Sequence, residues 1–109
     1  MTDGTDVEAR LEALKTKYAS KLGDRVAEIT SYWERLSVRQ DTTISLDDMI
    51  TLVHKLAGSA GMYGHNRLGD AAGRLEAALE TGAFEGFIGD SALRAEIDVM
   101  VAALTAEIA

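Results

Sequence analysis

Apolar residues in this chain recur at alternating steps of three and four, a spacing that fits one side of an α-helix and neither face of a strand. The clearest run is Leu46, Met49, Val53, Leu56, Ala60 and Tyr63, a narrow stripe that needs a neighbouring helix to cover it. Val7, Leu11, Leu14 and Tyr18 share another such face, followed by Val26, Ile29, Trp33 and Leu36. Leu68, Ala72, Leu75 and Leu79 form the next, and Leu93, Ile97, Met100, Val101, Leu104 and Ile108 the last. The chain has no proline to break these runs, and only 6% aromatic residues from which to build a sheet. The pattern predicts an all-α fold.

Local signals set the expected boundaries. Residues 1–5 carry no pattern and read as a frayed, flexible N-terminus. A long helical arm is expected from residue 6 to about 37, weakened or kinked at Gly23, with a loop over 39–43. Ser45 reads as the N-cap of the next helix, with Asp48 as an approximate capping-box partner, and Gly61 and Gly64 end it near Gly64. Asn66 is expected to cap the following helix, and Thr81-Gly82 to stop it. The segment 84–89 is too rich in glycine for a helix, and its apolar residues are expected to cover one end of the core. Asp90 or Ser91 then caps the last helix. Short connections make neighbouring helices antiparallel, so the expected architecture is a four-helix bundle. Its 109 residues suit one domain, over 6–109, and no internal repeat interrupts it.

Composition excludes several classes of function. Without cysteine there are no disulfides, thiolate metal sites or thiol nucleophiles. A net charge of −7 argues against nucleic acid and anionic membrane as partners. No apolar run approaches the roughly 18 residues of a membrane span, and the polar N-terminus does not resemble a signal peptide, so a cytoplasmic protein is expected.

Histidine is the side chain that titrates near neutrality by default, and the chain has two, His54 and His65. The apolar stripe of the 46–63 helix is centred about 130° around the helix from His54, which therefore faces outward. Asp47, Ile50, Thr51, Ala57, Gly58 and Gly61 surround it on that side. Helical glycine costs about 1 kcal/mol against alanine, and on an outward face close packing within the fold does not explain it. Clearing the space beside the imidazole does.

Two other signals fail on spacing, and a third has a plainer reading. The glycines at 58, 61 and 64 continue and end a helix, whereas a phosphate-binding loop follows a strand and opens one. His54 and His65 are eleven residues apart, about 16 Å along a helix, too far to share a metal ion. Asp3, Asp6, Glu8 and Glu12 read as a solvated face that suits a helix N-terminus, while Tyr18 and Trp33 read as core.

The segment His54-Lys55-Leu56-Ala57-Gly58-Ser59-Ala60-Gly61-Met62-Tyr63-Gly64, with Leu68, Leu75 and Glu76 downstream, resembles the signature of histidine-containing phosphotransfer (HPt) domains. The resemblance implies a four-helix bundle whose exposed histidine exchanges a phosphoryl group with an aspartate of response-regulator receiver domains. It makes His54 the phosphoacceptor, Gly58 the residue that keeps the ring accessible, and Gly64 the point where the helix turns. The surround of the phosphosite is then Lys55, Ala57, Gly58 and Gly61, and the partner-docking residues are Asp47, Ile50, Thr51 and Met62. The family frequently has lysine where this chain has Ala57, and Lys55 points about 100° further around the helix, so it substitutes only in part. Implied partners are receiver domains and sensor or hybrid histidine kinases, met by a monomer without kinase or phosphatase activity of its own. No cofactor is expected, the magnesium ion being supplied by the receiver domain. Two rival readings remain open: a bundle of this fold acting as an unphosphorylated adaptor or inhibitor, and a dimerising histidine-kinase fragment, whose pattern the glycine cluster fits poorly.

Overall fold

The structure is a computed structural model that describes residues 4–37, 43–85 and 91–108. Within them the chain forms four helices: α1 (Gly4–Ser37), α2 (Leu46–Met62), α3 (Asn66–Glu85) and α4 (Ser91–Ile108). α1 packs on α2 and α4, and α3 packs on the same two, so the helices follow one another around a bundle. Cross-helix contacts fix the directions. Tyr18 near the start of the packed part of α1 stacks on Tyr63 at the end of α2. Ala57 and Gly61 of α2 meet Gly69 of α3. Trp33 Nε1 donates to Asp98 at 2.5 Å, and Arg94 donates to the carbonyl of Ser37 at 3.1 Å, tying the end of α1 to the start of α4. Each neighbouring pair is antiparallel.

The core takes one stripe from each helix. Leu22, Val26, Ile29, Trp33 and Leu36 of α1 are buried, as are Met49, Val53, Leu56 and Ala60 of α2. α3 contributes Leu68, Ala71, Ala72, Leu75 and Leu79, and α4 contributes Ile97, Val101 and Leu104. Those side chains exclude water from the middle of the bundle, and at roughly 25 cal/mol per Å² of apolar surface their burial is the main force holding the helices together.

The ends of α2 are fixed by local chemistry. Ser45 Oγ accepts from the Asp48 N–H at 3.1 Å, while the Asp48 carboxylate accepts from the Ser45 N–H at 2.9 Å, a complete capping box. At the other end His65 N–H donates to the Ala60 carbonyl at 2.8 Å and Gly64 N–H to the Gly61 carbonyl at 3.2 Å. This is the Schellman arrangement, and it needs the left-handed backbone that Gly64 adopts at φ 85°.

Several sequence expectations are corrected. α1 includes Gly4 and Thr5, which the sequence reads as a frayed terminus, whereas its course through Gly23 to Ser37 as one helix is as expected. A single glycine lowers helix propensity without ending a helix whose flanking turns pack on neighbours. α3 likewise continues past Thr81-Gly82 to Glu85, three residues beyond the expected stop at Gly82, since one glycine costs only about 1 kcal/mol of helix propensity. Asn66 is the first helical residue of α3, and the carbonyl of His65 before it accepts the N–H of Gly69 at 2.9 Å. Tyr63, expected inward, is 55% exposed because the helix has already turned at that point. Ile108 lies exposed in the last turn of α4. Val7, Leu11 and Leu14 are also exposed, since α1 outruns the helices it packs on. The expectations placed on 39–42, on Asp90 and on the side chains of 84–89 fall outside the described residues.

Candidate functional site

His54 lies midway along α2 on the side opposite Val53 and Leu56, so burial of those two residues forces its ring outward. Its side chain is 73% exposed. One contact restrains it: Nδ1 is 2.6 Å from a carboxylate oxygen of Glu76, a residue of α3 that is itself only 20% exposed. Two antiparallel helices create this pairing. Leu75 and Leu79 turn inward and leave Glu76 at the edge of the seam, level with His54.

A carboxylate facing Nδ1 fixes the tautomer of the neutral ring. The hydrogen sits on Nδ1 and is donated to Glu76, which leaves the lone pair on the outward Nε2. The ring is also held in one orientation, as a histidine is when a carboxylate backs it in a metal or hydrolase site. The product of this geometry is an accessible nitrogen nucleophile with a fixed direction of attack. Should Nε2 acquire an electrophile, the positive charge of the substituted ring lies beside the anionic carboxylate.

The surface around the ring is low. A Cβ added at Gly58 or at Gly61 would meet nothing within 4 Å, so neither glycine is required by packing inside the fold. The situation at Gly69 on α3 is different. A Cβ there would lie 3.2 Å from the Gly61 nitrogen and 3.3 Å from the Ala57 carbonyl oxygen. Glycine at 69 therefore lets α3 approach the backbone of α2 closely, beside the histidine.

The remaining sequence candidates separate into two groups. Asp47, Thr51 and Met62 are exposed, Met62 at 79%, and the Thr51 hydroxyl donates to the carbonyl of Asp47 at 2.9 Å. Ile50 and Ala57 are half-buried and pack against the core, so each is an edge residue with part of its surface free. Lys55 turns away from the ring. It lines a hollow of about 430 Å³ between α1 and α2 with Lys21, Arg25 and Ser59, on the other side of α2 from Glu76. His65 sits in the α2–α3 turn, its ring 6.3 Å from that of Tyr18, and takes no part in the arrangement at His54. Among the described residues no group of three or more His, Cys, Asp or Glu side chains is placed to hold a metal ion.

Glu76 is the site residue whose role sequence reasoning missed. It stood in the matched motif, but its distance of 22 residues from His54 hid a contact that only the α2–α3 hairpin creates. The close approach at Gly69 was missed for the same reason.

An antiparallel helical bundle that presents one backed, outward imidazole is the architecture of a histidine phosphotransfer module. The comparison with known families agrees: the Hpt domain model matches residues 5–107, nearly the whole chain, and the protein belongs to that family. Membership carries the general function of the family, histidine phosphotransfer in two-component phosphorelays, by proteins that act as carriers of the phosphoryl group. Neither a curated protein nor a solved structure matches the chain significantly. No helix among the described residues is long and apolar enough to cross a membrane.

Proposed function

We propose that His54 is the phosphoacceptor of a phosphorelay intermediate that takes a phosphoryl group from an aspartyl phosphate on a receiver domain and returns it to another. The observation that carries this reading is the pairing of an open Nε2 with a carboxylate-backed Nδ1, 2.6 Å from Glu76. The lone pair of Nε2 attacks phosphorus in line, the N–P bond forms, and the P–O bond to the aspartate breaks with its electron pair left on the carboxylate. Nδ1 keeps its proton throughout, so no base has to remove one. Glu76 balances the charge that develops on the ring. Return of the group to a second aspartate is the same step reversed.

Phosphoryl transfer of this kind depends on positioning and charge stabilisation. The chain contributes the nucleophile and a cleared approach over Gly58 and Gly61. Magnesium and the acidic pocket belong to the receiver domain, and the chain itself needs no cofactor and has no kinase or phosphatase activity. With Ala57 at the position that is lysine in many members and Lys55 turned toward α1, cationic help for the phosphoryl group also comes from the partner. Asp47, Ile50, Thr51 and Met62 form the docking rim, in which Ile50 and Met62 supply apolar contact. The setting of this exchange is cytoplasmic.

The test is incubation with a phosphorylated receiver domain. Label should appear on this protein as an acid-labile, base-stable phosphoramidate and be absent in His54→Gln. A protein that binds receivers yet takes no label from any of them would instead be an adaptor or inhibitor.

A further inference from the structure

The hollow of about 430 Å³ between α1 and α2 takes no part in the arrangement at His54. Two facing pairs of side chains build its walls. Lys21 and Arg25 stand one turn apart on the edge of α1 that meets α2, and Lys55 and Ser59 stand one turn apart on the facing edge of α2. The stacking of Tyr18 on Tyr63 sets the register of these antiparallel helices. Counted from it, Lys21 falls level with Ser59 and Ala60, and Arg25 with Lys55 and Leu56. The buried side chains of Leu22 and Leu56 form the floor.

Charge sets this place apart. The chain carries −7 overall, yet three cations converge here. None of the three has an ion-pair partner among the described residues, although Asp24 and Glu28 share the rim. Like charges one turn apart on a helix repel, and an anion seated between them removes that cost. A second observation points the same way. Tyr18 also lines the hollow, and its hydroxyl is buried without a hydrogen-bond partner, a donor that lacks an acceptor.

We propose that this hollow binds a small phosphate monoester, its phosphoryl oxygens held by Lys21, Arg25, Lys55 and the Ser59 hydroxyl. Donors on two facing walls suit a tetrahedral group with three terminal oxygens, whereas a planar carboxylate has only two to offer them. The volume falls within the roughly 300–1,000 Å³ of small-molecule sites and exceeds what a bare phosphate ion fills. The rest of the ligand is short and hydroxylated: Asp24 and Glu28 accept from its hydroxyl groups, and Leu22 and Leu56 lie beneath its carbon chain. This ligand is distinct from the phosphoryl group proposed for His54, whose ring pairs with Glu76 on the other flank of α2. The imidazole stays open when the hollow is occupied.

Titration of the nitrogen-15-labelled full chain with inorganic phosphate, glycerol phosphate and acetate, each at constant ionic strength, tests the proposal without any receiver domain. Both phosphates should give saturable amide shifts confined to the stretches 18–28 and 55–59, and acetate should give none. Glycerol phosphate should bind the more tightly, and equal affinity for the two phosphates would overturn the ester. Arg25→Gln and Lys55→Gln should each weaken binding about tenfold or more, as loss of one charge-assisted hydrogen bond does. Arg74→Gln, the same loss of charge at an exposed position of α3, should leave the affinity unchanged. His54→Gln should also bind phosphate normally, so failure of this proposal and failure of phosphoryl acceptance at His54 are told apart. Circular dichroism should show each variant folded, since all four residues are exposed. Shifts that never saturate or scatter over the chain, or equal weakening by Arg74→Gln and Arg25→Gln, would overturn the proposal.

Discussion

His54 Nδ1 and the carboxylate of Glu76 stand 2.6 Å apart across the seam between α2 and α3. The contact makes one imidazole nitrogen a donor with a fixed partner and leaves the other as the only free nucleophilic atom of the ring. A histidine that was merely an exposed surface residue would have no need of a carboxylate that is itself four-fifths covered.

Replacing Glu76 should therefore slow phosphoryl acceptance without removing it. Loss of a group that orients and charges a functional histidine typically costs ten- to a hundredfold, and Glu76→Ala is expected in about that range. Glu76→Gln should cost less, because its amide carbonyl still accepts from Nδ1–H while the negative charge is gone. Initial rates of transfer from a phosphorylated receiver domain measure the effect. Nitrogen-15 shifts of the His54 ring should show the proton no longer confined to Nδ1 in the alanine variant.

At Gly58 stability and activity should move in opposite directions. An added Cβ meets open space, so Gly58→Ala removes a helix-weakening residue at no packing cost and is expected to gain up to about 1 kcal/mol, several degrees in Tm. The same methyl group stands one turn from the imidazole, on the surface that a receiver domain approaches in the proposed exchange. Transfer should slow, and Gly58→Leu should slow it much further while the bundle still melts cooperatively. Thermal melts and transfer rates on the same samples separate the two effects. Unchanged transfer in Gly58→Leu would show that no partner passes over this residue.

What the sequence disclosed and what it withheld follow from the range of the interactions concerned. The stripe of α2 and the outward direction of His54 are local consequences of a 3.6-residue period, as are the capping box at Ser45 and the turn at Gly64. All were legible. The relation of Glu76 to His54 depends on which turn of α3 faces which turn of α2, and helical periodicity carries no information about that register. The exposed stripe from Val7 to Leu14 shows the opposite limit. Its spacing matches that of the buried stripe below it, and only the lengths of the neighbouring helices decide which part is covered.

Ser45 supports the helix that carries His54 from its far end, so its loss should affect stability alone. Its Oγ satisfies the Asp48 N–H, and replacing such a cap by alanine costs about 1 kcal/mol. Ser45→Ala is expected to lower Tm by about 4–8 °C for a domain near this size and to leave the rate of phosphoryl acceptance unaltered. His54 lies nine residues further on, held by its own contact with Glu76. A thermal melt and a transfer assay on the same variant check both halves.

Gly69→Ala should behave in the reverse way to Gly58→Ala, although both exchange glycine for alanine inside a helix. The intrinsic helix preference is the same in each case and favours alanine by about 1 kcal/mol. The surroundings differ. A Cβ at 69 would stand 3.2 Å from the Gly61 nitrogen and 3.3 Å from the Ala57 oxygen, and both are backbone atoms of a packed helix that cannot swing aside. Relief requires α3 to move away from α2 by a few tenths of an ångström, loosening the seam between Leu56 and Ala60 on one side and Leu68 and Ala72 on the other. Overpacking of this kind costs about 1–3 kcal/mol, which outweighs the gain in propensity, so Gly69→Ala should be destabilised and Gly69→Val more so. The same displacement shifts Glu76, two turns along α3, relative to His54. Denaturant unfolding should show the loss of stability, and the His54 ring nitrogens should shift in the folded protein even though neither residue of the pair has been changed. If Gly69→Ala were as stable as Gly58→Ala, close packing at this point would not be what holds the two helices in register.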